Sequence, residues 1–158
     1  MKREAPTPDA MPSRIREMPT WLISRAYAYS HRLLADGFAT AGVRGHHYRV
    51  LAALEELGPA SQAELGRRTG IDRSDVVAVL NDLAARGLIE RSPDPADRRR
   101  NIITMTPAGG EELGTLDEIL AAVQEQVLTP LSAAERKQLV GLLARLLEHD
   151  AQASRTAS

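Results

Sequence analysis

The 158 residues are 43% hydrophobic and 26% charged, the usual mixture of a soluble globular chain of one domain, which excludes collagen-like repeats and wholesale disorder. Aromatic residues make up only 3%, so the core falls to Leu, Val, Ile and Ala and a helix-rich architecture is favoured over a sandwich of aromatic strands. The absence of cysteine excludes disulfides, thiolate nucleophiles and CxxC zinc sites, while a net charge of -1 means that any nucleic-acid role must rest on local arrangement.

No run of about eighteen apolar residues occurs, and the opening MKREAPTPDAMPSR lacks the apolar stretch of a secretory signal, so a cytoplasmic protein with no membrane contact is expected. Residues 1–17, rich in Pro and polar groups, read as a flexible arm, and residues 151–158 as a flexible tail. From about Met18 to Ala41, Leu22, Ala26, Tyr29 and Leu33 recur at helical spacing. Val50, Leu51, Leu54 and Leu57 mark a second helix that stops at Gly58-Pro59. Ser61-Gln62-Ala63-Glu64 is a capping box: the serine hydroxyl can accept from the amide three residues on, while Glu64 can reach back to the Ser61 amide. The short helix begun there ends near Thr69-Gly70. Asp72 can cap the next, whose core face carries Val76, Val79, Leu80 and Leu83 and which stops at Arg86-Gly87.

Two β-prone runs follow, residues 88–91 and 101–105, joined by a polar loop that ends in Arg98, Arg99 and Arg100. Thr106-Pro107 reads as a cap and first-turn proline. In the helix it opens, Leu113, Leu116, Leu120, Val123 and Val127 step by 3 and 4 residues, a packing seam. A second capping box, Ser132-x-x-Glu135, opens a last helix with Leu139, Leu142, Leu143, Leu146 and Leu147.

Helix, tight turn, helix and hairpin is the winged helix-turn-helix order, so the fold class expected is mainly α with a small β-hairpin wing. Residues 46–106 are expected to form the DNA-binding region, flanked by the helical segments 18–45 and 107–150, which the family resemblance given below implies to be the dimerisation region. Arg73, Ser74, Asp75, Val77, Ala78 and Asn81 lie off the apolar face of the recognition helix, where base edges are read, with Ser61 and Gln62 at the start of the preceding helix. Asp97, Arg98, Arg99 and Arg100 stand at the wing, where guanidinium groups suit the narrow, negative minor groove. His46 and His47 fall on different helix faces and cannot ligate a metal as a pair separated by one turn would, so neither a metal nor a cofactor is expected. HExxH, P-loop, GxSxG and strand-linked GxGxxG motifs are absent, so no enzymatic role is indicated.

Ser61-Gln-Ala-Glu-Leu, Leu83-x-x-Arg86-Gly87-Leu88-Ile89-x-Arg91, Asp94-Pro-x-Asp97-x-Arg99 and Thr106-Pro-x-Gly109, in this order, resemble the MarR family of bacterial transcriptional regulators over about residues 20–150. The resemblance implies a homodimer, held by its first and last helices, that grips a palindromic operator on duplex DNA and represses in response to a ligand. It also implies a small aromatic or phenolic effector between the dimerisation helices and the winged region, where Trp21, Tyr27, His46, His47 and Tyr48 are the candidates. Asp75 departs from the neutral residue common in relatives and is placed to serve Asp72 as a capping partner. The competing expectation is a winged-helix module for protein interaction, since the fold is used both ways.

Overall fold

The computed structural model describes residues 12–98 and 100–156. Two prolines set where order begins: α1 (Ser13–Arg16) follows Pro12, and α2 (Pro19–Thr40) starts on Pro19, whose missing N–H would be unpaired in a first turn anyway. α2 turns Phe38 inward, while Leu22, Ile23, Tyr27 and Tyr29 remain exposed. α3 (Gly45–Leu57) buries His47, Val50, Leu51 and Leu54, one stripe at helical spacing, and ends at Gly58 with φ of 74°, a backbone value suited to glycine.

β1 (Ala60–Ser61) runs directly into α4 (Gln62–Thr69), and α5 (Arg73–Ala85) packs Val76, Val79, Leu80 and Leu83 into the core. β2 (Ile89–Pro93) and β3 (Asn101–Met105) form the expected hairpin, with Ile89 opposite Met105 and Pro93 opposite Asn101. β1 pairs antiparallel with β3, Ala60 opposite Ile103, giving a three-stranded sheet in the order β1-β3-β2. The third strand was not foreseen, because two residues between a helix stop and a capping box carry no alternation.

α6 (Pro107–Leu128) is opened by Thr106, whose hydroxyl accepts from the Gly109 amide at 3.1 Å and donates to the Gly87 carbonyl at 2.8 Å. Its seam splits: Leu113, Leu116 and Val123 are buried within the chain. α2 and α6 approach closely at Gly37, where an added Cβ would lie 3.0 Å from Ile119 and 3.1 Å from Val123. By its contacts the chain forms two compact units, the first reaching to Val123 and the second beginning at Gln124.

In the second unit, α7 (Ala133–Thr156) starts with both halves of the Ser132–Glu135 box formed. Arg136 pairs with Glu125 through two hydrogen bonds, of 2.5 and 2.8 Å, and that partner draws the Glu125 carboxyl below its ordinary pKa. Within the segments expected to be a flexible arm and tail, residues 13–16 form α1 and α7 runs on to Thr156, Ala151, Gln152 and Ala153 being good helix formers, while residues 1–11 and 157–158 lie outside the described residues. Among the described residues no helix is long and apolar enough to cross a membrane, and no group of three or more His, Asp or Glu could hold a metal ion.

Candidate nucleic-acid interface

The apolar stripe of α5 fixes which side faces outward. With Val76, Val79, Leu80 and Leu83 buried, Arg73, Ser74, Asp75, Val77, Ala78 and Asn81 are exposed, and Val77 is an exposed apolar group of the kind that meets a thymine methyl. Asp72 occupies the N-cap of α5 without making the expected side-chain cap bond, and the Asp75 side chain is exposed in the first turn. The first turn of α5 is joined to the preceding residue through its backbone, with the Val76 amide donating to the Asp72 carbonyl at 2.9 Å.

Ser61 is buried at the start of α4, and its hydroxyl accepts from the Glu64 amide at 3.4 Å. The return half of that box is replaced: Glu64 pairs with Arg68 one turn on instead of with the Ser61 amide. Ser61 also accepts from Arg100 at 3.2 Å, which ties the end of the wing loop to the start of α4. Gln62, Arg67, Asp72, Arg73, Arg100 and Asn101 then line a cleft of about 760 Å³ between α4, α5 and β3. Three guanidinium groups and two helix N-termini face one carboxylate there, an arrangement that favours an anion such as a backbone phosphate.

Within the wing the Asp94 amide donates to the Arg100 carbonyl at 2.8 Å, the Arg100 amide to the Asp97 carbonyl at 2.9 Å, and the Ala96 amide to Asp94 Oδ1 at 2.8 Å. These bonds give the loop a defined shape, with Asp97 and Arg98 exposed; Arg99 lies outside the described residues. Arg91 on β2 donates to Asn81 Oδ1 at 2.8 Å, linking hairpin and recognition helix. Arg67 and Arg91 were missed by sequence reasoning. Arg67 lies off the side of α4 that carries Leu65, which was a usable signal, whereas the Arg91 contact depends on how the hairpin docks.

The candidate effector residues do not come together. Trp21 has the Arg25 guanidinium 6.0 Å from its ring, and Tyr27 is exposed beside His31. Tyr48 stacks on Phe38 at 5.7 Å and donates to Asp117 at 2.9 Å; burial and that bond push its pKa up. His47 is a core residue. Its Nδ1 accepts from the Arg44 amide at 3.1 Å, which places the proton on Nε2, 3.5 Å from Asp82 of α5. Burial lowers the His47 pKa, and Asp82 opposes that only in part. His46 alone of the five lines a second cavity, of about 560 Å³, bounded by α2, α3 and the start of α5. Leu34 and Phe38 form its apolar side, His31, Arg44 and Arg49 bring further basic groups, and Asp75 closes it.

A helix-turn-helix pair carrying an exposed polar face, with an arginine-bearing hairpin braced against it, defines a winged-helix DNA-binding protein. The MarR family model matches residues 41–100. The chain is 36% identical over 113 residues to a putative transcriptional regulatory protein for the hcr operon of Thauera aromatica, covering 72% of this chain and 68% of that one. It is 29% identical over 145 residues to the transcriptional repressor NicR of Pseudomonas putida, covering 92% of each. A solved structure of Bordetella bronchiseptica BpsR, described as showing a mechanism for regulation of DNA binding by 6-hydroxynicotinic acid, is similar with a TM-score of 0.75 and 29% identity, covering 86% of this chain and 97% of that one. The chain belongs to the MarR family, whose members are DNA-binding transcriptional regulators and not enzymes.

Proposed function

We propose that the protein is a ligand-responsive repressor that acts as a homodimer in the bacterial cytoplasm, without catalytic activity of its own. Two copies of α5 enter successive major grooves of a palindromic operator, with half-sites about 10 base pairs apart, and the wing arginines reach the flanking minor groove. Arg73, Ser74, Val77, Ala78 and Asn81 meet base edges, and Ser61, Gln62, Asp97, Arg98, Arg99 and Arg100 hold the backbone and wing. The observation that carries this reading is the cleft in which Arg67, Arg73 and Arg100 converge between the recognition helix and the hairpin.

Ligand response is supported by the cavity beside His46, which touches the first turn of α5, and by the regulation of the similar BpsR by 6-hydroxynicotinic acid. An aromatic or heteroaromatic acid in that cavity would release DNA by favouring a position of α5 incompatible with the operator. The test is selection of bound duplexes from a random pool, followed by titration of the selected site with salt and with 6-hydroxynicotinic acid. A palindromic consensus, affinity falling steeply with salt, and release by the acid are expected. Binding only to other proteins, with no selected sequence, would replace this reading by the interaction-module one.

A further inference from the structure

We infer that Arg91, a residue of the hairpin, decides which base Asn81 reads: it holds the Asn81 amide with its oxygen occupied and its N–H donors free, so that the base met there is guanine rather than adenine. The inference rests on the base-reading role proposed for Asn81 above. Arg91 reaches α5 through the register of the sheet. Side chains two residues apart on a strand share a face, so Arg91 stands on the same face of β2 as the buried Ile89, opposite the buried Ile103 of β3. From there its Nη2 lies 2.8 Å from Asn81 Oδ1. A guanidinium has only donors, so of the two orientations open to a side-chain amide only the one with Oδ1 toward Arg91 makes this bond.

Asn81 lies one turn on from Val77, and both are exposed on the outward side of α5. An asparagine selects adenine by pairing with both ends of its amide, the oxygen accepting from the N6 amino group and the nitrogen donating to N7. Here N6 would approach an oxygen that already accepts from a cation, donor against donor. Guanine instead presents N7 and O6, two acceptors, and so satisfies the amide nitrogen without calling on the oxygen. When DNA covers the pair and water leaves, the Arg91 bond strengthens, and the orientation is held most firmly while the base is read.

Duplexes selected from a random pool by the full-length protein are the probe, and the position whose preference disappears in Asn81→Ala marks the base that Asn81 meets. Duplexes differing only there are then compared by anisotropy. Wild type should favour guanine over adenine at least about fivefold, the low end of what one side-chain–base pair supplies. Arg91→Met keeps an unbranched stem but no donor; the freed oxygen should pass the preference to adenine. Arg91→Lys restores a donor and should keep guanine. Asn81→Asp turns an acceptor outward and should favour cytosine, whose N4 amino group donates. Each comparison is a ratio within one variant, so a general weakening of the wing cancels. An Arg91→Met protein that binds both duplexes more weakly with the guanine-to-adenine ratio unchanged makes Arg91 a brace alone and overturns the inference. So does an Asn81→Ala protein that keeps every preference, which leaves operator reading by the other α5 residues in place. Failure of wild type to select any sequence removes the base-reading role of α5 itself, and the inference with it.

Discussion

At Gly109 the Thr106-Pro107-x-Gly109 motif has a steric reason: a Cβ there would collide with the Leu88 carbonyl and come within 2.7 Å of Met105 Cγ. One obstacle is backbone and cannot rotate away, so Gly109→Ala should lower unfolding free energy by about 1–3 kcal/mol in a urea titration. An unchanged midpoint would mean that α6 does not meet the hairpin as closely as this. His47 gives a pH-dependent counterpart. Its pKa is lowered by burial, so between the folded value and the ordinary 6.5 the unfolded chain binds the extra proton. Stability from this group is therefore complete above about pH 6.5 and is lost as pH falls below it. Urea midpoints measured from pH 7.5 down to 5.5 should decline in wild type and decline less in His47→Gln. A parallel decline in both would assign the acid sensitivity to other groups.

Among the elements, α4 and the hairpin depend on each other through Ser61, which caps the helix and receives Arg100. Ser61→Ala should cost about 0.5–2 kcal/mol of stability, the usual range for a lost N-cap, and should also weaken operator binding because Arg100 loses its anchor. Arg91→Ala tests the other brace. The Arg91–Asn81 bond is exposed, so stability should change by less than about 1 kcal/mol, while operator affinity measured by anisotropy falls as the wing loosens. Loss of stability without loss of affinity would reverse that assignment. How much of this was legible follows from range in sequence. The α5 stripe of Val76, Val79, Leu80 and Leu83 is local periodicity, and both it and the Gly87 stop could be read directly. His47 belongs to an equally local stripe with Val50, Leu51 and Leu54, and that spacing could have identified it as core. β1 could not be read this way, since Ala60 acquires its meaning only from pairing with Ile103. The place of Asp75 was likewise hidden: its helix spacing says only that it avoids the core, and the cavity it closes is assembled from α2, α3 and α5.

At the scale of the whole molecule, the apolar surface that remains exposed bears on assembly. Val140, Leu142, Leu143, Leu146 and Leu147 of α7 are all exposed in a single chain, Leu147 by 70%, as are Leu22 and Ile23 of α2. Leu143 and Leu147 lie one turn apart on one face, the spacing by which a helix presents a continuous apolar strip to a partner. By contrast Val123 is buried within the chain, so a lysine there would disrupt folding and assembly together. Leu143→Lys/Leu147→Lys is the cleaner probe of a homodimer. Lysines on an already exposed face should leave the helical circular dichroism intact, yet reduce the mass measured by light scattering from two chains to one. Operator affinity should fall with it, because each α5 reads one half-site and the second binding event is intramolecular only while the chains are joined. The two measurements must move together: a double variant that stays dimeric would place the interface elsewhere, and one that is monomeric yet binds the full palindrome as tightly as wild type would remove the need for a dimer in recognition.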